Sequence, residues 1–275
     1  MAILKIDDSI APFLGQAPFD TVATLEGSTV RDKEGRRTFK TRLGDKNYFV
    51  KYHRGIGWKE ITKELTQLRL PIVSAYNEYL AIKTLQQLGV HTTNPVAIAV
   101  RGLNPANRES FLVTDALENT ITLEQLTLSW NTQKPAWAFK RALIKEVARI
   151  ARVLHENGIN HRDFYLCHFR IDTQLAQQQG TDNLKLYLMD LHRAQMRRQV
   201  PKRWLIKDLG ALLFSAANIG LNRSDILYFL AHYSQRSPSK ELRENSALWK
   251  AVYRRAERFY RRDWKRPMPE VFSRS

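Results

Sequence analysis

A loop that follows a long amphipathic segment constrains this chain more than any other feature. Apolar residues at three- and four-residue spacing predict a helix over Ala136 to Asn157. The helix leads into the sequence His161-Arg162-Asp163, and a later apolar run, predicted as a short strand, ends at Asp190. Two carboxylates are therefore predicted at the ends of regular elements, where a loop can direct them at a ligand.

The order of helix, His-Arg-Asp loop, strand and aspartate resembles that of protein-kinase-like phosphotransferases. The resemblance implies that Asp163 accepts the proton of the attacking hydroxyl, with Arg162 beside it, and that Asp190 holds Mg²⁺ and the nucleotide. The position five residues after Asp163, an asparagine in kinases, is His168. Imidazole matches Mg²⁺ poorly. From its position in the loop, His168 is predicted in the metal and nucleotide site. Because of the poor match to Mg²⁺, the alternatives are hydrogen bonding to a phosphate or to Asp163, or packing beside Phe169.

The N-terminal part reads as a strand-rich meander. Strands are predicted over Thr24–Arg31, Arg37–Thr41 and Asn47–His53. In a kinase the first hairpin covers the nucleotide phosphates, and here Gly27 is the glycine of that hairpin. Lys51 stands where the kinase strand carries its phosphate-binding lysine; the alternative is a solvated strand lysine.

A helix predicted over Val73 to Leu88 follows a basic loop, Arg54 to Lys63. The resemblance implies that Glu78, on this helix, pairs with Lys51 and completes the catalytic set; the alternative is an exposed glutamate. Strands over Val96–Val100 and Ser110–Leu117 then complete a five-stranded sheet with one helix. Asp115 and Leu117 mark the segment where a hinge backbone would meet the adenine of ATP.

These patterns predict an α+β, two-lobed, protein-kinase-like fold. The small N-terminal lobe, residues 1–117, is expected to hold an antiparallel sheet plus one helix and to bind the nucleotide. The larger, mainly helical C-terminal lobe, residues 118–275, is expected to carry catalysis and substrate binding.

The segment after Asp190 reaches Asp208 without a long activation segment or an Ala-Pro-Glu element. Its brevity indicates an acceptor other than a peptide. Asp208 is predicted to begin an apolar helix, Leu209 to Ile219, and to brace the catalytic loop. Cations that would bind phosphates or carboxylates of the substrate, or form a solvated basic turn, lie between the two aspartates: Arg193, Arg197, Arg198, Lys202 and Arg203.

The composition is that of an ordinary globular chain except for its charge. The 275 residues include 44 Lys and Arg against 27 Asp and Glu, a formal net charge of +17. That excess favours anionic partners such as nucleic acid, a phospholipid surface, a phosphorylated substrate or an acidic protein. A single cysteine excludes an internal disulfide, and neither a secretory signal nor an apolar run long enough to span a bilayer is found.

Four sequence blocks together closely resemble the bacterial lipopolysaccharide core heptose I kinases: 49–55, 161–169, 190–195 and 201–209. The resemblance extends from about Phe13 to the last helix. It implies ATP-dependent phosphorylation of a hydroxyl on the first heptose of the inner core, with the lipid A-core lipopolysaccharide precursor as acceptor. It also implies a cytoplasmic protein, peripheral on the inner face of the inner membrane of a Gram-negative cell, where an anionic surface would attract a basic enzyme.

Two questions stay open at this point. The predicted C-terminal helix, Ala247 to Trp264, mixes aromatic residues with arginines and is either interfacial or packed on the large lobe. The function also has rivals: a protein kinase or ATP-binding pseudokinase of the same fold, or a basic nucleic-acid-binding protein. Nucleic acid is disfavoured because charge alone does not explain the ordered Lys51, Glu78, Asp163 and Asp190, whereas an acidic protein partner stays open.

Overall fold

A computed structural model describes residues 3–33, 35–66 and 71–269 of the chain. They form two compact units, of which the first combines segments 1–84, 93–118 and 191–193. The second unit combines segments 85–92, 119–190 and 194–275. The first holds an antiparallel sheet and the second is mainly helical, so the predicted α+β class is confirmed.

The first unit contains a six-stranded antiparallel sheet with the strand order β1-β5-β6-β4-β3-β2. The pairs β2–β3, β3–β4 and β5–β6 join strands that follow one another along the chain, whereas β4 pairs with β6 and β1 pairs with β5. The strands are β1 (Ile3–Ile6), β2 (Ser28–Lys33), β3 (Arg36–Leu43), β4 (Lys46–His53), β5 (Pro95–Arg101) and β6 (Glu109–Asp115).

One face of this sheet is covered by two short helices, α1 (Ala11–Leu14) and α2 (Pro18–Thr24). Their buried side chains join alternate residues of the strands, including Phe39, Val50 and Phe111, in one apolar cluster. Since successive strand residues point to opposite faces, the residue after Val50, Lys51, points to the other face. The alternation of β4 thus separates the apolar core from the candidate phosphate-binding lysine.

The predicted content of the first unit, five strands and one helix, is incomplete. Besides the expected helix, seen as α4 (Tyr76–Gln87), the unit has β1, α1, α2 and a helix α3 (Gly57–Thr66) within the segment predicted as a basic loop. Thr24 ends α2 instead of opening a strand. Trp58, Ile61 and Leu65 stand three and four residues apart in α3, a helical apolar spacing that the loop prediction overlooked among the charged residues, and Ile61 is the buried one of the three.

The second unit is built around α6 (Trp137–Glu156), which confirms the long predicted helix. Its buried face includes Phe139, Leu143, Val147 and Ile150 and packs against α9. The other helices of the unit are α5 (Leu123–Thr127), α7 (Thr173–Gln178), α8 (Lys202–Ser215), α9 (Arg223–Ser234), α10 (Pro238–Glu244) and α11 (Ser246–Trp264). Helix α8 begins two turns before the predicted Leu209, so Asp208 lies within it.

Short strands of the second unit hold the segments on either side of the His-Arg-Asp loop. The strand β9 (Phe169–Asp172) pairs with β7 (Thr120–Thr122) and with β10 (Tyr187–Leu188). The strand β8 (Ile159–Asn160) pairs with β11 (Gln195–Met196). The loop that carries Asp163 therefore starts and ends in paired strands.

The C-terminal helix α11 packs against α8, which answers the question left open above. Tyr260 is fully buried and its hydroxyl donates to Asn218 Oδ1 at 2.6 Å. Trp249 Nε1 donates to Glu241 Oε1 at 2.9 Å. Most of the aromatic stripe thus packs within the helical unit, whereas Trp264 at the end of the helix is exposed. Over residues 3–33, 35–66 and 71–269, no helix has the length and apolarity needed to cross a bilayer.

Candidate active site

Asp208 of α8 holds the backbone of the loop that carries Asp163. One carboxylate oxygen, Oδ2, accepts the backbone N–H of His161 at 2.6 Å, and the other, Oδ1, accepts that of Arg162 at 2.8 Å. Asp208 has no exposed surface. Because both oxygens accept from consecutive N–H groups, the carboxylate fixes the backbone directly before Asp163, as the sequence predicted.

The side chain of His161 ties this loop to the one that carries Asp190. His161 is fully buried, and its Nε2 lies 2.9 Å from the carbonyl oxygen of Met189. A carbonyl can only accept, so Nε2 carries the proton. In return the N–H of Met189 donates to the carbonyl of His168 at 2.8 Å. These two hydrogen bonds fix the loops of Asp163 and Asp190 relative to one another.

Both loops carry a residue in the left-handed region of the backbone. Arg162 has φ 77° and Asp190 has φ 60°. Such conformations cost energy for residues with a side chain and persist only where the surroundings enforce them. At Arg162 the enforcing contact is the hydrogen bond to Asp208.

Asp190 and His168 lie close together. His168 Nδ1 is 3.8 Å from Asp190 Oδ2, and both side chains are partly exposed. Throughout the described ranges there is no group of three or more His, Cys, Asp or Glu side chains that could hold a metal ion. A nucleotide-bound Mg²⁺ needs only one or two carboxylates, because the phosphates supply other ligands. The carboxylate of Asp190 fits that ion, whereas the nitrogen of His168 fits it poorly.

In the first unit, Lys51 and Glu78 form a close ion pair. Lys51 Nζ donates to Glu78 Oε1 at 2.6 Å. The Glu78 side chain is 6% exposed and that of Lys51 is 23% exposed, so solvent reaches the ammonium more than the carboxylate. The structure therefore brings together the two residues that the kinase resemblance pairs.

The other predicted nucleotide contacts are placed as follows. At Gly27 a Cβ atom would collide with the backbone oxygen of Lys40, so the close approach of two strands accounts for this glycine. The N–H groups of Asp115 and Ala116 donate to the carbonyls of Asn94 and Asn47. A nucleotide base would therefore have to use other main-chain groups near Leu117.

The five predicted substrate cations are divided between the two units. Arg193 belongs to the first unit and the other four belong to the second. Arg198, Lys202 and Arg203 are exposed. Arg197 is held by hydrogen bonds to Asn160 Oδ1 at 2.5 Å and to Gln195 Oε1 at 2.6 Å.

Sequence analysis missed two residues that support this region. Tyr233 of α9 and His155 of α6 form a hydrogen-bonded pair, with the Tyr233 hydroxyl 2.9 Å from His155 Nδ1. His155 Nε2 in turn lies 3.5 Å from Asp208 Oδ2. Burial raises the pKa of Tyr233, with a further contribution from nearby carboxylates, so the hydroxyl stays protonated. The only sequence signal was a histidine in the last turn of an otherwise apolar helical face.

Cys167, inside the loop, has the properties of a packing residue. Burial raises the pKa of its thiol to about 11, with smaller contributions from nearby carboxylates. The reactive thiolate is therefore scarce at neutral pH, and the loop offers no cysteine nucleophile.

The chain matches known proteins over most of its length. Residues 20–233 match the model of the lipopolysaccharide kinase (Kdo/WaaP) family. The lipopolysaccharide core heptose(I) kinase WaaP of Pseudomonas aeruginosa is 44% identical over 248 residues, covering 90% of this chain and 92% of that protein. The protein of the same name from Escherichia coli is 45% identical over 219 residues, covering 80% and 82%.

A solved structure described as WaaP in complex with acyl carrier protein superimposes with a TM-score of 0.81. The two chains are 39% identical, and the match covers 94% of this chain and 99% of the other. The kinase-like architecture expected from the sequence is thereby confirmed.

Proposed function

This chain belongs to the lipopolysaccharide kinase (Kdo/WaaP) family, and from that membership we propose that it transfers the γ-phosphoryl group of ATP to the first heptose of the lipopolysaccharide inner core. The acceptor is a hydroxyl of that heptose. The observation that carries the proposal is the Asp163 loop, fixed by Asp208 and tied by His161 to the loop of Asp190. Phosphoryl transfer depends mainly on such positioning.

Each residue has a distinct role in this mechanism. Asp163 accepts the proton of the attacking heptose hydroxyl, beside Arg162. Asp190 would hold Mg²⁺, which when bound neutralises charge on the nucleotide phosphates. Lys51, held by Glu78, binds nucleotide phosphates. The hairpin at Gly27 and the backbone near Asp115 and Leu117 border the nucleotide, and His168 hydrogen-bonds a phosphate or Asp163. Acceptor anions are bound by cations after Asp190: Arg193, Arg197, Arg198, Lys202 and Arg203.

The test is transfer of labelled γ-phosphate from Mg·ATP to heptose-containing lipopolysaccharide core. We expect Asp163→Asn to keep the fold and ATP affinity and to reduce transfer by about 10³-fold, because the proton acceptor is lost. Lys51→Met should instead weaken ATP binding. A wild-type protein that binds ATP and labels a protein substrate but not the core would contradict the acceptor and favour the protein-kinase alternative. ATP binding without any transfer would favour a pseudokinase.

We further propose that the chain binds an acyl carrier protein. This partner is suggested by the complex in which the similar WaaP structure was solved. An independent feature of the second unit supports it: a cavity of about 150 Å³ lies among α6, α8, α9 and α11. Its lining is almost wholly apolar, including Leu143, Val147, Leu212, Leu230 and Val252. An acyl chain is the part of an acylated carrier protein that such a cavity suits.

The partner proposal is tested by comparing the affinities of acylated and unacylated carrier protein. The acylated form should bind more tightly, and Leu213→Trp, which fills part of the cavity, should reduce that difference. A thermal unfolding curve of the variant serves as the folding control. Equal affinity for both forms of the carrier protein would contradict occupation of the cavity by an acyl chain.

Peripheral attachment to the inner face of the inner membrane is the third part of the proposal. The acceptor is a lipid, and no helix among the described residues can span a bilayer. The net charge of +17 favours attraction to an anionic lipid surface.

A further inference from the structure

One indole ring in the second unit is surrounded by four cations. Lys207 Nζ lies 4.0 Å from the centroid of the Trp204 ring. The guanidinium carbons of Arg162, Arg203 and Arg197 lie 5.2, 5.5 and 5.7 Å from the same centroid. Cations attach singly to aromatic faces in most proteins, so four around one ring is a dense accumulation of positive charge. We call Arg162, Arg197, Arg203, Lys207 and Trp204 the Trp204 cluster.

The members of the cluster come from fixed pieces of backbone. Arg197 donates from its side chain to Asn160 and Gln195, and its N–H donates to the carbonyl of Gly158 at 2.9 Å. Gly158 has φ +74°, and a Cβ atom there would collide with the backbone oxygen of Arg197. Two restraints on the chain therefore hold Arg197 in place. Trp204, Arg203 and Lys207 all belong to α8.

The electrostatics of the cluster favour an anion. Burial lowers the pKa of Arg197, and the charge of Arg203 lowers it further, so the two guanidinium groups repel each other. Two carboxylates stand next to cluster members in the sequence, Asp163 after Arg162 and Asp208 after Lys207, and that of Asp208 accepts two backbone N–H groups. Trp204 Nε1 is buried and has no hydrogen-bond acceptor within the ranges that the structure describes. An incoming oxyanion would relieve the repulsion and offer an acceptor to nearby donors.

The cluster touches the catalytic loop directly. Arg162 immediately precedes Asp163, and the Asp208 carboxylate that holds its N–H comes from the same helix as Trp204. A ligand bound by the cluster would thus lie beside the residue proposed as the base. On the premise of the proposed function, that ligand is part of the phosphate acceptor.

We propose that the Trp204 cluster binds an acidic group of the acceptor, a carboxylate of an acidic sugar or a phosphate, and so places the heptose hydroxyl beside Asp163. The guanidinium fork matches both oxyanions, since each offers two oxygens in one plane. The cluster is then a specificity determinant for charged core oligosaccharide over neutral sugar.

The experiment measures binding of core oligosaccharide in the absence of ATP, with phosphate transfer measured separately. The variants are Arg203→Gln and Lys207→Gln, and the matched control is Arg243→Gln, an exposed arginine of α10 outside the cluster. We expect each cluster variant to weaken binding of native core by about tenfold, as for loss of a charged hydrogen bond. Arg243→Gln should not change it.

Modified acceptors identify the anion. Carboxyl-reduced core should bind wild type weakly and show no further loss in the variants if a carboxylate is the ligand. If the ligand is a phosphate, dephosphorylated core should instead bind wild type weakly and show no further loss in the variants. Equal losses by the variants with native and with both modified acceptors would overturn the proposal, because the cluster would then not read an acidic group.

The outcomes also separate this inference from the proposed function. Weaker core binding in the variants without any transfer by wild type keeps the cluster as an anion site and removes the kinase assignment. Transfer by wild type with unchanged core binding in the variants keeps the kinase assignment and removes the cluster as an anion site. Unchanged core binding with weaker binding of acyl carrier protein would make the cluster a protein-docking surface and overturn the proposal.

Discussion

His53 is a buried histidine two residues after Lys51 on β4, and its surroundings keep it neutral. Its side chain lies in the first unit near Arg36, Lys51 and His192. Burial is the largest cause that lowers the pKa of His53, these three neighbours add to it, and together they bring the pKa to about 3. A protonated ring would be a buried charge next to like charges, so folding and protonation compete at this position.

This competition predicts an acid-sensitive free energy of unfolding. The unfolded chain protonates His53 below pH 6.5, whereas the folded protein does so only near pH 3, so stability falls as the pH drops through this window. From this residue alone we expect a loss of about 2 kcal/mol between neutral pH and pH 5. Urea unfolding of wild type and His53→Phe at both pH values measures it. The same pH dependence in both proteins would show that His53 is not responsible.

At the residue scale, sequence reasoning located the residues that stand in a fixed order along the chain. Lys51 and Glu78 were predicted as a pair and lie in contact, and Asp208 was predicted to brace the loop and does so. Trp204 and His155 were not singled out, because their roles depend on neighbours from other segments. Cations from three places in the sequence meet at Trp204, and no local pattern encodes that meeting.

Among the elements, α8 joins the catalytic loop to the cation cluster. Lys207 and Asp208 follow Trp204 by three and four residues, which places each of them beside it on the helix surface. Through this surface the helix holds the catalytic loop by Asp208 and carries the centre of the cation cluster. Another flank of α8 packs against α11, where a Cβ atom at Gly210 would come within 3.0 to 3.2 Å of the side chain of Arg255.

Loss of the Asp208 charge should therefore impair catalysis more than stability alone explains. In Asp208→Asn one of the two N–H acceptors becomes an amide NH₂, so one backbone N–H is left unpaired and the loop shifts. We expect kcat to fall about 100-fold, with little change in KM for ATP, because the Lys51–Glu78 pair belongs to the first unit. Steady-state kinetics and urea unfolding measure the two effects.

Asp225→Asn is the control for this variant. Asp225 is also buried, accepts the N–H of Asn222 at 2.9 Å and pairs with Lys140 at 2.6 Å. It should lose a comparable amount of stability without the loss in kcat. An equal fall of kcat in both variants would mean that destabilisation, and not the position of the loop, limits turnover.

Long elements with a wide apolar face were predicted well, and short ones were not. Helix α6 differs from its prediction by one residue at each end because its buried face repeats over its length. The strand β1 and the helix α1 have four residues each, so their apolar patterns are too short to stand out. The start of α8 was missed because its first turns are basic and half-exposed.

At the scale of the whole molecule, the net charge of +17 acts over longer distances than any of these contacts. The exposed positive groups are screened by salt, with a Debye length of about 10 Å at 0.1 M and about 3 Å at 1 M. Buried and paired groups such as Lys51 and Glu78 are much less affected. Salt therefore separates the proposed attraction to an anionic lipid surface from the chemistry at the loop.

Membrane binding should therefore depend on salt more strongly than phosphate transfer does. Binding to vesicles that contain anionic phospholipid should weaken steeply as NaCl rises from 0.05 to 0.5 M, on the order of 1 kcal/mol for each surface cation that is screened. Binding to neutral vesicles should be weak at both concentrations. Transfer to a short, lipid-free core acceptor should depend less on salt than transfer to acceptor embedded in anionic vesicles. Vesicle sedimentation and labelled transfer measure these quantities, and salt-independent binding to anionic vesicles would show that net charge does not bring the enzyme to the membrane.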